Sequence, residues 1–119
     1  MNLLTPNLIR QLAANAVRAG TGHDPAPVLK LFNPLGPATW LATELASDDD
    51  TLVGLADLGF GCPELGYFSL AEIASVRLPF GLRIERDLDF ATEVPLSRWS
   101  EVARSTGSIL TAERLLLLT

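Results

Sequence analysis

Glu44, Asp57 and Glu64 are the side chains of this 119-residue sequence whose type and spacing best suit chemistry. Carboxylates gathered at one point either ligate a divalent cation or work as a general acid and base. A small metal-assisted hydrolase built on these three requires them to converge. Each also has an ordinary structural use, in capping a helix, pairing with an arginine or facing water. Arg86 bears on the choice. Apolar residues alternate with polar ones along residues 82–90, and the alternation places Arg86 on the apolar side, where a buried cation requires an anion. The sequence therefore predicts that Arg86 pairs with Glu44, Asp57 or Glu64.

The second chemical candidate is the block from Asp57 to Tyr67, in which Gly59, Gly61, Pro63 and Gly66 sit between two carboxylates and two rings. Glycine and proline at this density fix an irregular backbone path, and such paths on a rigid scaffold concentrate binding groups. Gly59-Phe60-Gly61 lacks the lysine and hydroxyl of a P-loop and the third glycine of a dinucleotide fingerprint. Cys62, the only cysteine, has no base in view, because the only histidine, His23, lies in a linker; a small buried thiol is expected. Residues 48–50 are three aspartates without the ligand spacing of a calcium loop, so a solvated turn is expected. No catalytic residue, metal ligand or cofactor motif emerges. The expected binding set is Glu44, Asp57, Phe60, Glu64, Tyr67 and Arg86, with the Gly/Pro block a rigid turn over residues 59–67.

Several elements must position these groups. Thr5 caps a first helix with Pro6 in its first turn, and Leu8, Ile9, Leu12, Ala13, Ala16 and Val17 form one apolar stripe predicted to lie in the core. Residues 28–32, 39–45 and 52–58 read as strands, the last two joined as a hairpin across a polar loop. Pairing residue 45 with 51 puts Trp40, Ala42 and Glu44 on one face with Leu52, Gly54 and Ala56. Leu41, Thr43, Leu45, Val53, Leu55 and Asp57 take the other. The first of these faces is flat at Ala42, Gly54 and Ala56, which suits close docking of a helix or of another group. Ser69 and Glu72 form a capping box for a helix to about Arg77. Residues 82–90 read as a further strand, Ser97 caps a helix ended by Gly107, and residues 108–119 form a tail predicted to be helical. Trp40 is predicted to be core, while Phe60 and Tyr67 fit core and contact surface equally. Together these elements predict one α+β domain over residues 1–119, a mainly antiparallel sheet of about four strands with a central hairpin, packed by two to four helices.

Composition narrows the function. Apolar residues make up 48% and charged residues 19%, which is a folding composition. The net charge is −5, and the basic residues are interleaved with acids rather than clustered, which disfavours nucleic acid and leaves a protein partner open. The start of the sequence lacks a signal peptide's pattern and no apolar run approaches a membrane span, so a cytoplasmic protein without membrane contact is expected. Oligomeric state is left open.

Thr39-Trp40-Leu41-Ala42-Thr43-Glu44, Asp57-Leu58-Gly59-Phe60-Gly61-Cys62-Pro63-Glu64-Leu65-Gly66-Tyr67-Phe68-Ser69-Leu70 and Ile84-Glu85-Arg86-Asp87 resemble a family of small bacterial proteins catalogued as a domain of unknown function, DUF2958. The likeness runs from Asn2 to about Gly107, and the leucine-rich tail departs from it. The resemblance implies no activity and no catalytic residue. It implies a setting on plasmids and other mobile elements, and with it an accessory or counter-defence role. The expectation is a non-catalytic accessory protein that binds another protein, with the metal-assisted hydrolase as the alternative.

Overall fold

A computed structural model describes residues 3–117. Thr5 opens the first helix, α1 (Pro6–Val17), as expected: its hydroxyl accepts the Leu8 N–H at 3.2 Å, and Pro6 occupies a position where a missing N–H costs nothing. Five strands follow in the order β4-β3-β2-β1-β5, all antiparallel. They are β1 (Leu29–Phe32), β2 (Thr39–Leu45), β3 (Thr51–Asp57), β4 (Glu64–Ser69) and β5 (Glu85–Arg86). Helices α2 (Leu70–Ser75), α3 (Leu96–Thr106) and α4 (Ile109–Leu117) complete an α+β fold, with one strand more than the sequence suggests.

The β2–β3 hairpin keeps the expected register from Thr39↔Asp57 to Ala42↔Gly54, then shifts to Glu44↔Val53 and Leu45↔Leu52. Thr43 is the extra residue of a β-bulge. Because side chains alternate, one inserted residue exchanges the faces beyond it. Leu45 thus joins Trp40, Ala42 and Leu52 on the first face, and Glu44 moves to the second, the reverse of the sequence expectation. Gly54 is explained by the same bulge: a Cβ there would lie 1.8 Å from the Leu41 carbonyl oxygen. The glycine makes room for the backbone opposite, and helices pack on this face.

The first face packs against Leu12 of α1, Ile73 of α2 and Ile84, and Trp40 is core as expected. On the second face, Leu41 and Leu55 meet Trp99, Val102 and Ala103 of α3 and Ile109 and Ala112 of α4. The Trp99 indole N–H is buried there without a hydrogen-bond partner among the described residues. Strand β1 pairs with β2 only as far as Leu29↔Ala42. Helix α1 packs along β2, and the Asn15 side-chain amide donates to the Thr43 carbonyl at 2.9 Å where β1 has ended.

Local chemistry moves several boundaries. Residues 82–90 are not a nine-residue strand. Only Glu85 and Arg86 pair with Phe32 and Leu31, because Asp87 ends the ladder by accepting the Asp89 N–H at 2.9 Å in a turn. Before it, Pro79–Gly81 forms a single tight turn in which Phe80 adopts φ 64°, a strained value for a bulky side chain. Ser69 caps α2, accepting the Glu72 N–H at 3.2 Å, yet that helix ends at Ser75 rather than Arg77. Helix α3 begins at Leu96, before the expected cap Ser97, whose hydroxyl binds Asp24 instead. Gly107 ends α3 in the left-handed region (φ 79°). The tail is helical as α4, with the Ser108 hydroxyl accepting the Thr111 N–H at 3.2 Å; residues 118 and 119 lie outside the described chain.

Candidate functional site

The bulge at Thr43 assembles the groove that stands out on this surface. Glu44 lies opposite Val53 on β3, and Val53 lies opposite Tyr67 on β4, so the three side chains form a row across three strands. Ala13, Ala16 and Val17 of α1 face this row, and Ala46, Ser47 and Asp49 of the hairpin loop close one end. The cavity between them is about 490 Å³ and open to solvent. Two of the expected binding residues, Glu44 and Tyr67, therefore meet here. The apolar stripe of α1 is only half core. Leu12 is buried and Leu8 packs on the core, but Val17 is 85% exposed and Ala13 is exposed too, because the helix overhangs the end of the sheet.

Phe60 and Glu64 come together separately. The Gly/Pro block is a turn only over residues 58–63, since Glu64 already pairs with Ala56 and begins β4. Leu58, Phe60, Cys62 and Glu64 border a hollow of about 230 Å³ beside Ala56. Phe60 is 82% exposed at its rim. Cys62 is exposed, not buried as expected, and its thiol lies 3.6 Å from the Phe60 carbonyl oxygen. Tyr67 is 79% exposed and Leu65 52%, so an apolar strip runs down β4.

Asp57 belongs to neither hollow. It is 2% exposed; one carboxylate oxygen accepts the Gly59 N–H at 2.8 Å and the other the Ile109 N–H at 2.9 Å. The side chain thus shapes the turn after β3 and caps α4. The predicted partner of Arg86 is also corrected. Its guanidinium donates to the Leu3 carbonyl at 2.7 Å from the far edge of the sheet, because β5 pairs with β1 and not with the hairpin. Glu44, Asp57 and Glu64 do not converge: the strand positions opposite Glu44 and Glu64 are Val53 and Ala56, about 10 Å apart along β3. Among the described residues no group of three or more His, Cys, Asp or Glu side chains is arranged to hold a metal.

Lys30 is a charged centre that sequence reasoning passed over. It is buried, and its ammonium donates to both oxygens of Glu113 at 2.8 and 3.0 Å and lies 3.4 Å from Asp87. The signal was present: the only lysine of the chain stands inside the apolar run Val28-Leu29-Lys30-Leu31-Phe32. Its use is structural, fastening α4 and the turn after β5 to β1. At the hairpin loop, the Asp48 carboxylate accepts the Thr51 hydroxyl at 2.6 Å and the N–H groups of Thr51 and Asp50 at 2.8 and 2.9 Å. These bonds hold its pKa at about 2 and fix the loop that closes the groove.

A family model described as a protein of unknown function (DUF2958) matches residues 3–110. No curated protein and no solved structure matches the chain. No helix among the described residues is long and apolar enough to cross a membrane.

Proposed function

The chain belongs to the DUF2958 family of proteins of unknown function, and we propose that it acts without catalysis, by docking on another protein. One observation carries this reading. Val17 and Tyr67 at the groove and Leu65 on the same face of β4 lie open to solvent beside the Glu44 carboxylate, and Phe60 lies open beside Glu64 at the second hollow. A surface of rings and aliphatic groups bordered by charge suits a protein interface, where aromatic anchors dominate the binding energy. The acidic border favours a partner that presents Lys or Arg around an apolar centre.

The polar groups that catalysis would need are otherwise occupied. Asp57 caps a helix, Lys30 joins two carboxylates, and Arg86 holds a backbone carbonyl. A metal-assisted hydrolase on Glu44, Asp57 and Glu64 has no assembled cluster to support it. The resemblance to proteins of plasmids and mobile elements supports a finer proposal, an accessory protein of such an element that acts on a host component, as in counter-defence in the cytoplasm.

Affinity capture from the native host tests the proposal. The wild-type protein recovers a partner that Tyr67→Ala and Phe60→Ala together lose, while Phe80→Ala, an exposed ring on a different turn, keeps it. Equal recovery by all three proteins overturns the placement of the site.

A further inference from the structure

Strand β4 is an open edge of the sheet, and the direction of its free backbone groups can be worked out. The Leu70 N–H donates to the Asp50 carbonyl at 2.9 Å, which makes 50/70 a hydrogen-bonded pair of the β3–β4 ladder. Bonded pairs alternate in an antiparallel ladder, so Leu52↔Phe68, Gly54↔Gly66 and Ala56↔Glu64 are bonded as well. The carbonyl of Val53 agrees, since it points the other way and accepts the Thr43 hydroxyl at 3.3 Å. The N–H and C=O of Leu65 and Tyr67 therefore point outward, and none of the described backbone groups bonds them.

We propose that β4 pairs with β4 of a second copy, antiparallel about a two-fold axis at Gly66. In this register Leu65 of each copy lies opposite Tyr67 of the other, and the four outward N–H groups meet four outward carbonyls. Leu65 and Tyr67 lie on one face, so the pairing also brings two rings and two leucines together, a combination that stabilises neighbouring strands. Gly66 stands at the axis, with none of the described atoms outside its chain neighbours within 4 Å of a Cβ built there. Glu64 is the only charge on the strand and lies opposite Phe68 of the second copy, so no like charges meet. The strand also lacks the lysine, proline or bulge that guards an edge. Pairing uses the backbone of Tyr67, and its ring remains on the face that lines the groove.

Directed disulfides test the register. In a Cys62→Ser background, Gly66→Cys places two thiols in a non-hydrogen-bonded pair with Cα atoms about 4.5 Å apart, inside the range a disulfide spans. Glu64→Cys places them four residues apart, about 13 Å. Mild oxidation is expected to link Gly66→Cys into a dimer at least about tenfold more than Glu64→Cys. Sedimentation from about 5 to about 500 µM is expected to show wild-type mass rising toward twice the monomer, as a small transient interface does. Leu65→Pro removes only an outward N–H, so it is expected to melt cooperatively and stay monomeric. Three results overturn the proposal: a wild type that stays monomeric throughout, equal cross-linking at 64 and 66, or a folded Leu65→Pro that still doubles its mass. If Leu65→Pro does not fold, the two cysteine variants decide. A monomer would leave docking through the groove untouched, because that rests on the exposed side chains around it and not on the outward backbone groups of β4.

Discussion

The Asp57 carboxylate accepts the backbone N–H of Ile109, 52 residues further along the chain, at 2.9 Å. The bond joins the end of a central strand to the start of the last helix, and the other oxygen holds the turn at Gly59. Asp57→Ala leaves two N–H groups without acceptors, one of them buried, and is expected to cost about 2–3 kcal/mol. Asp57→Asn keeps one acceptor and is expected to cost less. Urea denaturation measures both, and a stability equal to wild type for Asp57→Ala would return Asp57 to the list of binding residues.

Gly54→Ala is expected to be among the most damaging single changes, at about 3 kcal/mol or more, because its Cβ would occupy the place of the Leu41 carbonyl. The methyl group meets backbone rather than a side chain that can rotate away. Thermal unfolding checks this, and Gly66→Ala, with open space around it, is the control expected to shift little.

Lys30→Ala leaves Glu113 and Asp87 facing each other without their shared cation, and is expected to cost about 3 kcal/mol. Glu113→Ala is expected to cost less, since Asp87 still neutralises the ammonium. Equal losses in denaturant melts would show that Asp87 contributes nothing to the pair.

The Asp48 pKa of about 2, lowered from 3.8 by the Thr51 hydroxyl and two N–H groups, gives the hairpin loop a defined acid sensitivity. A carboxylate with a lowered folded-state pKa contributes stability that is complete above about pH 4 and is lost as pH falls through about 2. The difference in urea midpoint between wild type and Asp48→Asn is therefore expected to be constant at pH 5 and above and to shrink between pH 4 and 2. A difference that does not change over that range would contradict the assignment.

Much of the fold was legible in local sequence. Thr5-Pro6, the hairpin of β2 and β3, Ser69 as a cap and Gly107 as a stop each carry their signal within a few residues. What escaped depended on contacts between distant segments. The bulge at Thr43 has no mark of its own, yet it reverses the face of Glu44. Residues 82–90 alternate as a strand does, but β1 offers only a short edge to pair with. Asp57 and Lys30 were visible as unusual charges, and their partners Ile109 and Glu113 come from the tail. Of the candidate site, Tyr67 and Glu44 were named from sequence, while the contribution of α1 was hidden because its stripe reads as core along its whole length.

Cross-linking in the native host tests the central claim most directly: a photoreactive phenylalanine analogue at position 67, against the same analogue at position 80. Docking through the groove predicts a covalent adduct with a different protein from position 67, and little or none from position 80. An adduct from position 80 alone, or no adduct with another protein from position 67, would contradict it.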